Sequence, residues 1–144
     1  MRADLDRLMK EDNLDALWVM GAMKHNADMV YFTGVHEVNQ VDLFKRIGKA
    51  PVIYHFVNME REEAEKAGLE THSYDEEKPL DVYLKTHQNN VEQAVVHRLK
   101  DVMAEIGLGK GRIAVSGCTK VESALSLIDQ LRKLLPEVDF VFYP

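Results

Sequence analysis

Six histidines, one cysteine and three alternating glycines are the residues of this 144-residue sequence whose types and spacing could support chemistry. His25, His36, His55, His72, His87 and His97 include no pair at i, i+3 or i, i+4, the spacings that put two imidazoles on one helical face. His36-Glu37 opens like a zinc-protease helix, but Gln40 stands where the second histidine is required. A metal site would therefore need distant histidines to converge in the fold. Cys118 lies in an expected strand-to-helix turn, where a helix N-terminus favours the thiolate and would suit a nucleophile. The alternative is a small residue filling a tight turn. Gly107, Gly109 and Gly111 follow an expected helix and precede an expected strand, the reverse of a phosphate-cradling loop, which favours a capping role. After Met20 the chain reads Gly21-Ala22-Met23-Lys24, with no carboxylate, whereas Asp12 and Asp15 precede the strand. That placement argues against a phosphorylated receiver-type site.

The elements that would hold these residues follow from periodicity. Leu5, Leu8 and Met9 recur at helical spacing, giving a short amphipathic helix that ends near Asn13. Ala16-Leu17-Trp18-Val19-Met20 is an unbroken apolar run closed by Gly21, the pattern of a strand buried on both faces. Residues 41–57 read as two strands around a Gly48-Lys49-Ala50 turn, with Pro51 at the start of the second. Residues 60–67 suit a short helix stopped by Gly68, with Glu62 four residues before Lys66. Asp75-Glu76-Glu77-Lys78-Pro79 reads as a loop, and the rest of residues 70–86 is left unassigned. Val91, Ala94, Val95, Leu99, Val102, Met103 and Ile106 form one helical face closed by Gly107. Arg112 to Ser116 is a strand, and Thr119 with Glu122 is a capping-box signature for a helix bearing Val121, Ala124, Leu125, Ile128, Leu131 and Leu135. Pro136 stops that helix, and Val138 to Phe142 is a last strand. Met9, Met20, Met23, Met29, Met59 and Met103 fall mostly in core-like patterns, with Met23 and Met29 also placed for surface contact. The order predicts one α/β domain over residues 1–144, a mixed sheet of about five to six strands flanked by helices.

Composition bounds the partners. Hydrophobic residues at 46% and charged residues at 29% are an ordinary globular balance. With a net charge of -6 and basic residues scattered among acidic ones, nucleic acid is not an expected partner. No apolar run approaches the length of a membrane span, and the N-terminus enters an amphipathic helix without a signal-peptide core, so a cytoplasmic location is expected. A single cysteine excludes an internal disulfide framework.

One set of segments is more specific. Asp4-Leu5-Asp6-Arg7-Leu8-Met9 leads into Asn13-Leu14-Asp15-Ala16-Leu17-Trp18-Val19, and then comes Asp28-Met29-Val30-Tyr31-Phe32-Thr33-Gly34. Together they resemble the N-terminal domain of the creatinase, prolidase and Xaa-Pro aminopeptidase family of metallohydrolases. Asn13 stands where that family often has glycine, a natural exchange at a helix end with positive φ. Asp28, Val30 and Val35 stand where it more often has asparagine, arginine and an aromatic residue.

The resemblance implies an RNase H-like α/β domain ahead of a separate catalytic domain. That second domain would supply two Asp, one His and two Glu to a pair of divalent metals (manganese, cobalt or zinc), whose bridging hydroxide attacks the bond next to proline. No stretch here matches a ligand-bearing segment, and the sequence ends just after the last strand. The chain is thus expected to be non-catalytic, to hold no cofactor, and to partner its own catalytic domain and a neighbouring subunit in a homo-oligomer. On the same resemblance the segment from Lys24 to Gln40 is expected to line the active-site entrance, with Tyr31, Thr33 and His36 as substrate-entrance candidates. The residues themselves favour packing for Tyr31, with its hydroxyl at a polar rim, and leave His36 open between the two roles. The alternatives are a free-standing α/β ligand- or protein-binding module, or a small enzyme using Cys118.

Overall fold

The apolar run at residues 16–20 forms strand β1 (Ala16–Gly21), and it occupies the place such a run requires, with partners on both edges and helices over both faces. The structure, a computed structural model, describes residues 2–21, 26–34, 40–56, 58–117 and 121–143. The chain runs through α1 (Arg2–Glu11), β1, α2 (Ala27–Thr33), β2 (Val41–Arg46), β3 (Val52–His55) and a 3-10 turn (Asn58–Glu60). It continues through α3 (Arg61–Glu65), β4 (Glu70–Ser73), α4 (Tyr74–Glu77), α5 (Leu80–Thr86), α6 (Val91–Glu105), β5 (Gly111–Ser116), α7 (Val121–Leu134) and β6 (Val138–Phe142). Among the described residues these strands make one sheet in the order β4-β3-β2-β1-β5-β6. The β1-β2 and β2-β3 pairs are antiparallel, and the β1-β5, β5-β6 and β3-β4 pairs are parallel. The expected mixed sheet flanked by helices is the one observed.

Strand alternation divides the core. Trp18, Phe44, Ile113 and Phe140 face α6 and α7, which contribute Leu99, Val102, Met103, Ile128 and Leu131. Val19, Val41, Leu43 and Ile53 face Met29 of α2 and Ala64 of α3. Met9 of α1 packs with Leu14 and Ala114. A fully buried large side chain of this kind contributes roughly 1.5–3 kcal/mol.

Local chemistry sets the joints. Asn13 has φ 57°, and the Leu14 N–H reaches the Met9 carbonyl at 2.8 Å, so α1 ends in a left-handed cap where glycine would also serve. Gly111 has φ +107°, and a Cβ there would lie 2.5 Å from Asp15 Oδ2, which accepts the Arg112 N–H at 2.8 Å. The glycine is needed for that close approach, in keeping with a structural role for the glycine run.

Several expectations are corrected. Residues 75–79 are not all loop: Ser73 Oγ accepts the Glu76 N–H at 3.3 Å and starts the helical turn α4, whose Tyr74 is buried. Three carboxylates in that turn suit a helix N-terminus, where they complement the exposed N–H groups. The following residues form α5. The helix expected over residues 60–67 is shorter, and Lys66 pairs with Glu63 at 2.5 Å. Met29 is fully buried instead of surface-facing, and Met59, read as packing, is 92% exposed. On α6, Val91 is exposed in the first turn, while Val96 and Arg98 are buried. Thr119, half of the expected capping box, lies outside the described residues.

A buried cation ties α1 to the sheet. Lys45 is 1% exposed, and its Nζ donates to Asp6 Oδ1 at 2.6 Å and to the Arg46 carbonyl at 2.8 Å. Asp6 Oδ1 also accepts the Gly48 N–H at 3.0 Å. The hydrogen bond from Lys45, then that from Gly48, holds the Asp6 carboxyl below its ordinary value of 3.8. A depressed carboxyl contributes stability that is present above its unfolded value and is lost as pH falls through the folded one. Asp6→Ala is expected to lower unfolding free energy by about 1–3 kcal/mol, because a buried ammonium loses its partner. Denaturant titrations should show the full difference from the parent chain at pH 7 and a smaller one at pH 3. A difference that stays constant between those pH values would refute the role given to Asp6.

Candidate functional site

Strands β1 and β5 end, and β2 begins, at one edge of the sheet, and the residues with functional potential collect there on both faces. On one face Asn26, 5% exposed, donates from Nδ2 to the Met20 carbonyl at 3.0 Å and accepts the Met29 N–H at 3.2 Å. It thereby fixes the start of α2 against the end of β1, a side-chain N-cap. Met29 anchors the helix below, and Gly34, with φ 67° and its N–H on the Val30 carbonyl at 2.7 Å, closes it.

The helix places the expected entrance residues differently from one another. Residues 27–33 form a capped helix, so the expected Lys24–Gln40 loop is partly regular structure. Tyr31 is 55% exposed, which corrects the packing role read from its apolar surroundings; its ring meets Phe32 edge-on at 5.2 Å. Thr33 is 6% exposed and its Oγ1 donates to the Met29 carbonyl at 2.8 Å. His36 and Cys118 lie outside the described residues.

On the opposite face lies a cleft of about 170 Å³, bordered by Trp18, Asp42, Phe56, Tyr74, Arg98 and Gln40, with apolar residues completing the wall. Met20 of β1 is paired with Asp42 of β2, so Trp18 and Asp42 are diagonal neighbours on one face. Asp42 is 6% exposed; its Oδ1 accepts Trp18 Nε1–H at 2.9 Å and its Oδ2 accepts the Tyr74 hydroxyl at 2.7 Å. Burial pushes the Asp42 carboxyl up, against the opposing pull of these two hydrogen bonds and of Arg98. Burial, with Asp42 beside it, also raises the Tyr74 hydroxyl well above its ordinary value. Arg98 lies with its guanidinium carbon 4.8 Å from the Tyr74 ring centroid and 5.8 Å from that of Phe56. Its Nη1 is 3.8 Å from Asp75 Oδ1.

Asp42 and Arg98 escaped sequence reasoning, although each left a signal: an acid inside Val41-Asp42-Leu43-Phe44, and a cation between Val95-Val96 and Leu99. The arrangement presents a buried guanidinium and apolar walls to the cleft.

Among the described residues two histidines converge. His87 and His97 lie with ring centroids 3.9 Å apart at 44°, and burial, then His87, lowers the His97 imidazole. His72 instead sits between Glu77 at 2.9 Å and Glu70 at 3.0 Å. Among the described residues no group of three or more His, Cys, Asp or Glu is arranged to hold a metal ion, so these residues do not fit a dinuclear centre.

The creatinase/prolidase N-terminal domain model matches residues 1–141. The chain belongs to that family. A dipeptidase from Pyrococcus horikoshii OT3 superposes on it with a TM-score of 0.59 at 16% identity, over 100% of this chain and 34% of that one. An X-Pro aminopeptidase from Thermotoga maritima MSB8 gives 0.61 at 17% identity, over 99% and 33%. The creatinase/prolidase N-terminal domain of an X-Pro dipeptidase from Streptococcus pyogenes gives 0.59 at 14%, over 99% and 98%. The chain therefore spans about a third of the length of the first two. At these identities the likeness establishes the fold. No curated protein matches the sequence.

The two residues of α2 make opposite predictions for this creatinase/prolidase N-terminal domain. Tyr31→Ala, at an exposed position, should change unfolding free energy by no more than about 0.5 kcal/mol. Met29→Ala should cost about 2–5 kcal/mol, because it opens a cavity under the helix. Equal losses in chemical denaturation would contradict the placement of α2.

Proposed function

We propose that this chain is the non-catalytic N-terminal domain of a proline-directed dinuclear-metal peptidase, an Xaa-Pro aminopeptidase or Xaa-Pro dipeptidase. The observation that carries the reading is the family match over residues 1–141. The Thermotoga and Streptococcus proteins, described as an X-Pro aminopeptidase and an X-Pro dipeptidase, support that choice. In this reading the metal pair, manganese, cobalt or zinc, belongs to a separate catalytic domain, and the protein works in the cytoplasm. No helix among the described residues is long and apolar enough to cross a membrane.

The domain's contribution is to subunit contacts and to the entrance of the active site. Supporting this, α2 is anchored by Asn26, Met29 and Gly34 yet holds the Tyr31 ring out to solvent, as a contact residue must be held. Thr33 would act there by keeping the helix end in place, and His36 is proposed as an entrance residue on the family resemblance alone. The homo-oligomer belongs to the same proposal.

A free-standing ligand-binding module is a second reading, favoured by the cleft at Arg98. The test is direct: incubate the purified 144-residue chain with an Xaa-Pro dipeptide and manganese, and measure bound metal by mass spectrometry. No turnover and no stoichiometric metal are expected. Turnover, or a tightly held metal, would overturn the accessory-domain reading.

A further inference from the structure

The deepest cation on the α6 face lacks the hydrogen bonds that buried arginines normally make. Arg46 donates to the Ile106 carbonyl at 3.0 Å, Arg112 to the Asp12 carbonyl at 2.7 Å and Arg132 to the Phe140 carbonyl at 3.2 Å. Arg98, at 4% exposure more buried than any of these, donates no hydrogen bond to any described residue. Its closest carboxylate, Asp75, is half exposed and stands at 3.8 Å, beyond hydrogen-bond distance. Asp42 is near enough to act on it electrostatically, but both of its oxygens already accept from Trp18 and Tyr74. A guanidinium has five N–H donors, and a buried polar group left unmatched costs free energy.

The cleft is the open space beside Arg98. The Arg98 nitrogens are not sealed off as both His97 ring nitrogens are, and Arg98 is part of the cleft wall. Stacking on Tyr74 and Phe56 holds the planar fork in place, and Met20, Val95, Leu99 and Leu127 supply apolar wall around it. A fork of fixed donors in an apolar pocket matches a carboxylate on a short hydrocarbon body, because the acid takes paired N–H bonds while the hydrocarbon fills the remaining space.

We propose that this cleft binds a small free apolar monocarboxylate, with Arg98 as the group that recognises the acid. Asp42 makes no hydrogen bond to Arg98, and the apolar lining suits a monoanion with an apolar tail better than a polyanion. The proposal stands independently of the accessory-domain reading, since it concerns the opposite face of the sheet from α2.

Trp18 is the single tryptophan of the chain and borders the cleft, so its emission reports occupancy. Titration of the 144-residue chain with 4-methylpentanoate should give a saturable change in Trp18 fluorescence, and 4-methylpentanamide, the same body without the charge, should give none. Arg98→Gln should weaken binding about ten- to a hundred-fold, the effect of losing a charge-assisted pair. Val95→Phe, which narrows the cleft and leaves Arg98 in place, should also reduce binding while thermal unfolding stays cooperative. N-acetyl-leucine tests for a peptide C-terminus as the source of the carboxylate. Saturation by that compound alone, equal responses to acid and amide, or no saturable response to the acid would each overturn the proposal.

Discussion

An acid inside a sheet must be matched by donors or it destabilises the fold, and Asp42 meets that requirement with one donor from the central strand and one from beyond the sheet edge. The Trp18 indole fixes the carboxyl against β1, and the Tyr74 hydroxyl brings α4 down over β2. Once α4 is held there, Tyr74 provides the ring over which Arg98 lies, and Ser73 can cap the turn that follows β4. The cleft is what remains between this polar cluster and the inner faces of α6 and α7. Removal of Asp42 would leave the Trp18 indole N–H and the Tyr74 hydroxyl without this partner, and removal of either donor would leave one carboxyl oxygen unmatched, so the cluster specifies position as well as contributing free energy.

The two faces of the sheet divide the labour. The α2 face is an anchored presentation surface: Asn26 ties the helix to the end of β1, Met29 fills the core and Tyr31 is held outward. The α6 and α7 face is a receptacle with one charged wall. Among the described residues neither gathers three or more His, Cys, Asp or Glu side chains that could hold a metal ion.

Most of the fold was legible because it rests on local patterns. The β1 run, the turn before Pro51 and most of the apolar faces of α6 and α7 follow from periodicity or from backbone sterics, although Val91 and Leu125, read as part of those faces, are exposed; the left-handed position at Asn13 follows from the family resemblance. The misreadings have physical causes. Asp75-Glu76-Glu77 looks like a solvated loop until the Ser73 cap and the burial of Tyr74 are known, and both depend on partners elsewhere in the fold. Tyr31 was assigned to packing because apolar residues surround it in sequence, yet the turn of α2 points Met29, not Tyr31, into the core. The cleft was invisible for the same reason: Trp18, Asp42, Tyr74 and Arg98 are far apart in sequence, and only the strand order brings them together. The meeting of His87 and His97 likewise arises from the packing of α5 on α6.

One buried carboxyl couples β1 to α4. A double-mutant cycle of Trp18→Phe and Tyr74→Phe, followed by far-ultraviolet circular dichroism in denaturant, tests it, since both variants remove a donor to Asp42 and keep an aromatic ring. The account predicts that the two losses fail to add by about 0.5–3 kcal/mol, as residues in one network do. Losses that add to within about 0.3 kcal/mol would show that the two donors act separately, and would contradict it.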